Sequence, residues 1–292
     1  MSSPADAPPA RTAQVRRVLR GILLANLAVV AAKVAVGLGT GSLAVLGDAM
    51  HSSVDVINNV FGLAVMRIAG KGPDAEHPYG HAKFETLGAL LIVVFLSVSL
   101  FELLLGAFRR LLSAAPPPDV DALALALLGG TLLVNLAVVR YETGAAKRLD
   151  SALLAADAAH TRVDVHITIA VILGLFAARL GEAWTDPLIA IVVAVMVGKA
   201  GFDIVRRAIP TLVDERAFDE GTIRKAAESV AGVMSAYSIR SRTAGSLQFA
   251  ELTIAVEGST RVEAAHEITD AVESRLREQL NLHEIVVHVE PC

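Results

Sequence analysis

Residues 47–55 read GDAMHSSVD, and they lie inside an apolar run from Leu43 to Ile68. A helix needs about 20 mostly apolar residues to cross a bilayer, and this run is long enough. Asp48, His51 and Asp55 therefore sit where ionisable side chains are expensive. His51 and Asp55 are four apart, so a helix puts them on one face. A second apolar run holds AADAAHTRVDVHIT (155–168), where His160 and Asp164 repeat that spacing. In a soluble protein either pair alone would read as polar residues satisfied by their neighbours. Two identically spaced pairs in two spanning segments make coincidence a poor explanation.

Two imidazoles and two carboxylates suit a tetrahedral site for zinc or a similar divalent ion. Such ligands bind metal as neutral imidazole and ionised carboxylate, so protons compete for the same atoms. Asp48 lies three before His51, and Asp157 three before His160. Both are candidates for orienting the ligands or lining an ion path, against a plainer role in interhelical hydrogen bonding. His166 has no counterpart in the first run. In DAEHPYGH (74–81), Asp74, His77 and His81 have the spacing of a second, solvent-accessible metal site. Polar loops often carry such residues, so this signal is weaker.

The rest of the chain agrees with a membrane setting. Of 292 residues, 54% are hydrophobic but only 4% aromatic, so the apolar mass is Leu, Val, Ala and Ile. That is too apolar for an ordinary soluble domain. A net charge of −4 points away from nucleic acid. The single cysteine, Cys292, excludes an internal disulfide and a multi-cysteine zinc site. Residues 1–15 are expected to form a disordered tail, with no cleavable leader.

Six stretches are candidate spans: 18–38, 43–68, 84–108, 120–139, 153–178 and a shorter one at 187–202. Turn chemistry separates them in GTGS (39–42), AGKGPDAEHPYGH (69–81), SAAPPPD (113–119) and RLGEAWTDP (179–187). If six spans alternate, Arg16, Arg17, Arg20, Lys71, Lys83, Arg140, Lys147, Arg148, Arg206 and Arg207 fall on one side. Arg109, Arg110 and Arg179 fall on the other. The excess of positive charge predicts both termini to be cytoplasmic. The membrane domain is expected to cover residues 16–213.

From residue 214 to 292 the composition is that of a soluble domain. FDEGTIRKAAESV (218–230) and Val262–Leu280 read as amphipathic helices. YSIRSR (237–242), LQFAELTIAV (247–256) and EIVVHVE (284–290) read as strands. The predicted order is αββαβ, long enough for its own core.

Together the motifs GSLAVLGDAMHSSVD, HPYGHAKFE, HTRVD and the terminal VVHVEP carry a family resemblance. The chain resembles the cation diffusion facilitator family, zinc-transporter-type exporters of divalent metal, in order and spacing from about residue 15 onward. The resemblance implies six transmembrane helices and a metallochaperone-like cytoplasmic domain. It implies a homodimer exchanging Zn2+ for protons, with no organic cofactor, in the inner (cell) membrane of a bacterium. It implies a transport site of His51, Asp55, His160 and Asp164, because counting back from YGH selects Asp55 over Asp48. It places a loop site at Asp74, His77 and His81. Lys83 and Asp214 match positions of an ion pair between the membrane and cytoplasmic parts. In the cytoplasmic domain, Tyr237 and Thr253 stand where a two-metal site would carry histidines. His266, His288, Glu290 and Glu251 are left as a candidate cytoplasmic metal or regulatory set. The rival readings are a membrane metalloenzyme, which would need a larger histidine cluster, and a metal sensor. Iron, manganese, cobalt, nickel and cadmium are the alternative substrates.

Overall fold

The computed structural model describes residues 7–112, 122–179 and 185–292. These divide into two compact units, with the boundary between Ala208 and Ile209. The first contains α1 (Ala7–Thr40), α2 (Leu43–Ala69), α3 (Lys83–Leu112), α4 (Ala122–Leu149), α5 (Ala152–Arg179) and most of α6 (Thr185–Leu212). The GTGS turn acts as read. Gly41 takes a φ of 69°, and Ser42 caps α2 by accepting from the Val45 N–H at 3.4 Å.

Among the described residues, α1, α3, α4 and α6 are long and apolar enough to cross a membrane. α2 and α5 fall below that measure, and they are the two helices that carry the paired histidines and aspartates. All six expected helices are present, but only four declare themselves as spans by composition. Leu38, Leu133 and Val195 are 67–70% exposed, an arrangement suited to lipid rather than water.

Three boundaries differ from the sequence reading. Residues 7–15, expected in a tail, begin α1, and Val15 is fully buried. α4 does not end near Val139 but runs to Leu149. Glu142, Ala145 and Ala146 recur at i, i+3 and i+4 and keep one face buried. α6, the shortest candidate span in the sequence, runs 28 residues. The proline-rich turn at 113–119 and most of the turn at 179–187 lie outside the described residues.

The helical core gathers Leu19, Ile22, Met66, Leu96, Leu153, Leu154 and Val197, each at most 2% exposed. Gly88 lets α3 approach closely. A Cβ there would stand 2.6 Å from Val65 Cγ1 and 3.2 Å from Leu153 Cδ1.

The second unit holds α7 (Glu220–Glu228), β1 (Ser235–Ala244), β2 (Leu247–Val256), α8 (Val262–Leu280) and β3 (Glu284–Pro291). The predicted αββαβ order is present. Asp219 starts α7 by accepting from the Gly221 N–H at 2.9 Å. β1 and β2 form an antiparallel hairpin. β2 and β3 are parallel, which requires a crossover, and α8 supplies it. Ile223, Ile254, Val272 and Leu276 are fully buried between helices and sheet.

Candidate metal centre

Asp55 of α2 meets His160 and Asp164 of α5 inside the helical unit. Their ligand atoms all lie within 4.8 Å of one another. His160 Nε2 is 3.5 Å from Asp55 Oδ1 and 3.8 Å from Asp164 Oδ2. His160 is 4% exposed and Asp164 9%, so both face the interior. The i, i+4 spacing puts His160 and Asp164 on one face of α5, and Asp55 completes the group from the neighbouring helix. His51 occupies the matching face of α2, one turn earlier, but its side chain is exposed and stands outside this ligand group.

Polar side chains that the sequence reading did not single out surround the site. The Asn58 amide sits 3.1 Å from His160 Nε2. Asn59 donates to Asp157 Oδ2 at 3.2 Å and accepts from Asn26 at 2.8 Å. Glu142 of α4 is fully buried and accepts from the Thr161 hydroxyl at 3.4 Å. Asn58 could have been found, since it follows Asp55 by three on the same helical face. Glu142 was hidden because the apolar run of its helix ends before it.

Asp48 has a different employment. Its carboxylate lies 2.7 Å from Lys33 Nζ of α1, and Lys33 also donates to Ser52 Oγ at 2.9 Å. Lys33 is 2% exposed, and its ammonium needs that carboxylate. Asp48 therefore compensates a buried cation and stands apart from the three clustered ligands. Asp157 stays close to the site through Asn59. The expected result is that Asp48→Asn keeps metal binding while losing thermal stability, whereas Asp55→Asn keeps the fold and loses metal binding. Parallel metal-binding and melting measurements on the two variants check this; equal loss of binding in both would remove the distinction.

The loop between α2 and α3 builds a second group. Asp74, His77 and His81 also bring ligand atoms within 4.8 Å of one another. Asp74 Oδ1 accepts the backbone N–H groups of His77 at 2.7 Å and Glu76 at 3.1 Å. The bond from His77 is the main reason its carboxyl is held below the usual range. His81 Nδ1 lies 3.1 Å from the Gly72 carbonyl, leaving Nε2 3.4 Å from Asp74 Oδ2. A ring nitrogen donating to a carbonyl fixes the tautomer that offers the other nitrogen to a metal. The two imidazoles pack 4.2 Å apart beside Phe84.

The candidates in the second unit are more dispersed, and among the described residues they form no three-ligand group. His266 on α8 pairs with Asp270 at 3.9 Å. His288 on β3 lies 3.6 Å from Glu290. Glu290 accepts from the Tyr237 hydroxyl, and that bond is the main cause raising the Tyr237 phenol above its ordinary range. Glu251 on β2 is exposed, in register with Arg240 and Val286. Lys83 opens α3. Asp214 has a φ of 54° and lies 3.7 Å from Arg242.

Comparison with known proteins adds an independent finding. Residues 19–213 match the model of the cation efflux transmembrane domain, and residues 216–292 that of the cation efflux protein cytoplasmic domain. The chain is 30% identical over 273 residues to the manganese efflux system protein MneS of Bacillus subtilis, covering 92% of this chain and 93% of that one. It is 29% identical over 280 residues to the cation-efflux pump FieF of Shewanella oneidensis, covering 95% and 94%. A solved MamM CTD in its cadmium form is 32% identical over 25% of this chain and 92% of that one, with a TM-score of 0.24.

Proposed function

Because the chain belongs to the cation diffusion facilitator family of metal exporters, we propose that it exports Zn2+ in exchange for protons by alternating access. The family comprises transporters rather than enzymes, which sets the metalloenzyme reading aside. The observation that carries the proposal is the interhelical group of Asp55, His160 and Asp164. Metal enters from the cytoplasm and binds these three, with His51 turning in from α2 as the fourth ligand. Helix rocking then exposes the site to the opposite side. Protonation of the same carboxylates and imidazoles there releases the metal, since ligands hold metal only when deprotonated. The loop group at Asp74, His77 and His81 binds a second ion. The working unit is a homodimer in the cell membrane, with all six helices spanning and both termini cytoplasmic.

A second reading has a specific observation behind it. Two carboxylates and one imidazole lie within ligand range, while His51 stands outside. That oxygen-rich set suits manganese better than a two-histidine set does. It agrees with the likeness to a manganese efflux protein. The test is flux into proteoliposomes across zinc, manganese, iron, cobalt, nickel and cadmium, with and without an imposed pH gradient. The expected result is zinc uptake that needs the gradient. Manganese outpacing zinc would transfer the assignment to the second reading, and flux indifferent to the gradient would overturn proton exchange.

A further inference from the structure

On the far side of α5 from the metal site lies a cavity of about 410 Å³, enclosed by α3, α4, α5 and α6. Ala155, Ala159, Arg162 and His166 of α5 line it. His160 and Asp164 point the other way, as the 100° step of a helix requires. Nine of its nineteen lining residues are alanine, so the walls are short and leave room between the helices. Four cations line it: Lys147, Arg162, Lys199 and Arg207. Asp203 is its one carboxylate, which leaves an excess of three positive charges with His166 neutral.

These charges are not used up within the protein. Arg162 donates to the Thr143 hydroxyl at 3.1 Å. Among the described residues, no ion pair engages Lys147, Lys199 or Arg207, and Asp203, one turn from both Lys199 and Arg207 on α6, can offset only one of the four cations. Lys199 lies within Leu188–Leu212, the apolar stretch of α6, where an uncompensated ammonium is disfavoured. The same charges repel a divalent cation, so the cavity is a poor route to the metal site. Small apolar walls with a cationic lining match a phospholipid: acyl chain between helices, phosphate among the cations.

We propose that this cavity binds an anionic phospholipid. Arg162, Lys199 and Arg207 hold its phosphate, and Lys147 lines the cavity from α4. The bound lipid fills the space between α6 and the α4–α5 pair, against the reverse face of the helix that carries His160 and Asp164. The inference rests on the membrane setting and is independent of which metal is carried.

The experiment compares full-length protein in phosphatidylcholine alone with protein in phosphatidylcholine plus phosphatidylglycerol. Retained lipid is counted by native mass spectrometry, and melting is followed in both mixtures. The expected result is selective retention of phosphatidylglycerol and a higher melting temperature in its presence. In Lys199→Gln/Arg207→Gln, retention falls about tenfold while zinc binding persists. Equal retention of the two lipids by the wild-type protein overturns the proposal, whether or not the variant folds. Stabilisation by inorganic phosphate without phosphatidylglycerol retention overturns the lipid assignment. Unchanged retention in a folded variant overturns the assignment of those side chains.

Discussion

Asp55→Ala is expected to bring zinc flux into proteoliposomes down to the leak of protein-free vesicles, while the protein elutes and melts like wild type. Asp55 supplies the α2 part of the clustered ligands, with Oδ1 3.5 Å from His160 Nε2. Among the described residues, removing it leaves His160 and Asp164 of α5 as the only clustered ligands, with the exposed His51 as the one remaining α2 group that could join them. The lost carboxylate is both a metal ligand and a group that trades metal for a proton, so its removal takes away affinity and proton exchange together. Asp55 is not fully buried, and its loss opens no large cavity, which is why stability is expected to survive. A metal-indicator dye trapped in the vesicles gives the readout. Flux near the wild-type rate in Asp55→Ala would sink the assignment of this site.

The second large effect concerns stability. Arg11 near the start of α1 donates to both oxygens of Glu85 at 2.9 and 3.2 Å, to the Leu149 carbonyl at 2.6 Å and to the Asp150 carbonyl at 2.7 Å. One guanidinium thus joins the start of α1, the start of α3 and the turn between α4 and α5. Glu85 is 3% exposed, and Ser151 also donates to it at 2.6 Å. Arg11→Ala strands that carboxylate without a cation, and breaking a buried pair in this way costs about 3–5 kcal/mol. For a chain of this size that corresponds to a fall of about 10 °C in melting temperature. Arg11→Ala/Glu85→Gln should recover much of the loss, because a neutral amide no longer needs the cation. A single variant melting within about 2 °C of wild type would show that the contact is not a buried clamp.

These two residues mark the reach of the sequence. Asp55, His160 and Asp164 were legible because ionisable groups inside apolar runs are exceptional, and a spacing of four fixes their common face. The αββαβ unit was legible because its strands alternate and its helices are amphipathic, so local pattern and global fold agree. Arg11 was not. It sits in a stretch rich in alanine and proline, and its partners Glu85 and Leu149 are 74 and 138 residues away. No local pattern encodes such a contact, and the stretch reads as a tail until the partners are in place.

Asp48 and His51 sharpen the same division. Both lie in GDAMHSSVD, and their chemistry made them equal candidates by composition. Spacing alone does not separate them, since Asp48 repeats at Asp157 just as His51 repeats at His160; the resemblance, counted back from YGH, selects His51 with Asp55. The fate of Asp48 depends on Lys33, which α1 brings to within 2.7 Å. The position of His51 depends on how α2 is rotated against α5, which leaves its side chain exposed while Asp55 reaches His160. Periodicity along one helix states which side chains share a face. Rotation and approach of a neighbouring helix are settled by long-range packing such as Gly88 against Val65 and Leu153. That packing determines which of those side chains meet a partner, and so which aspartate binds a cation of the protein and which is free to bind a metal.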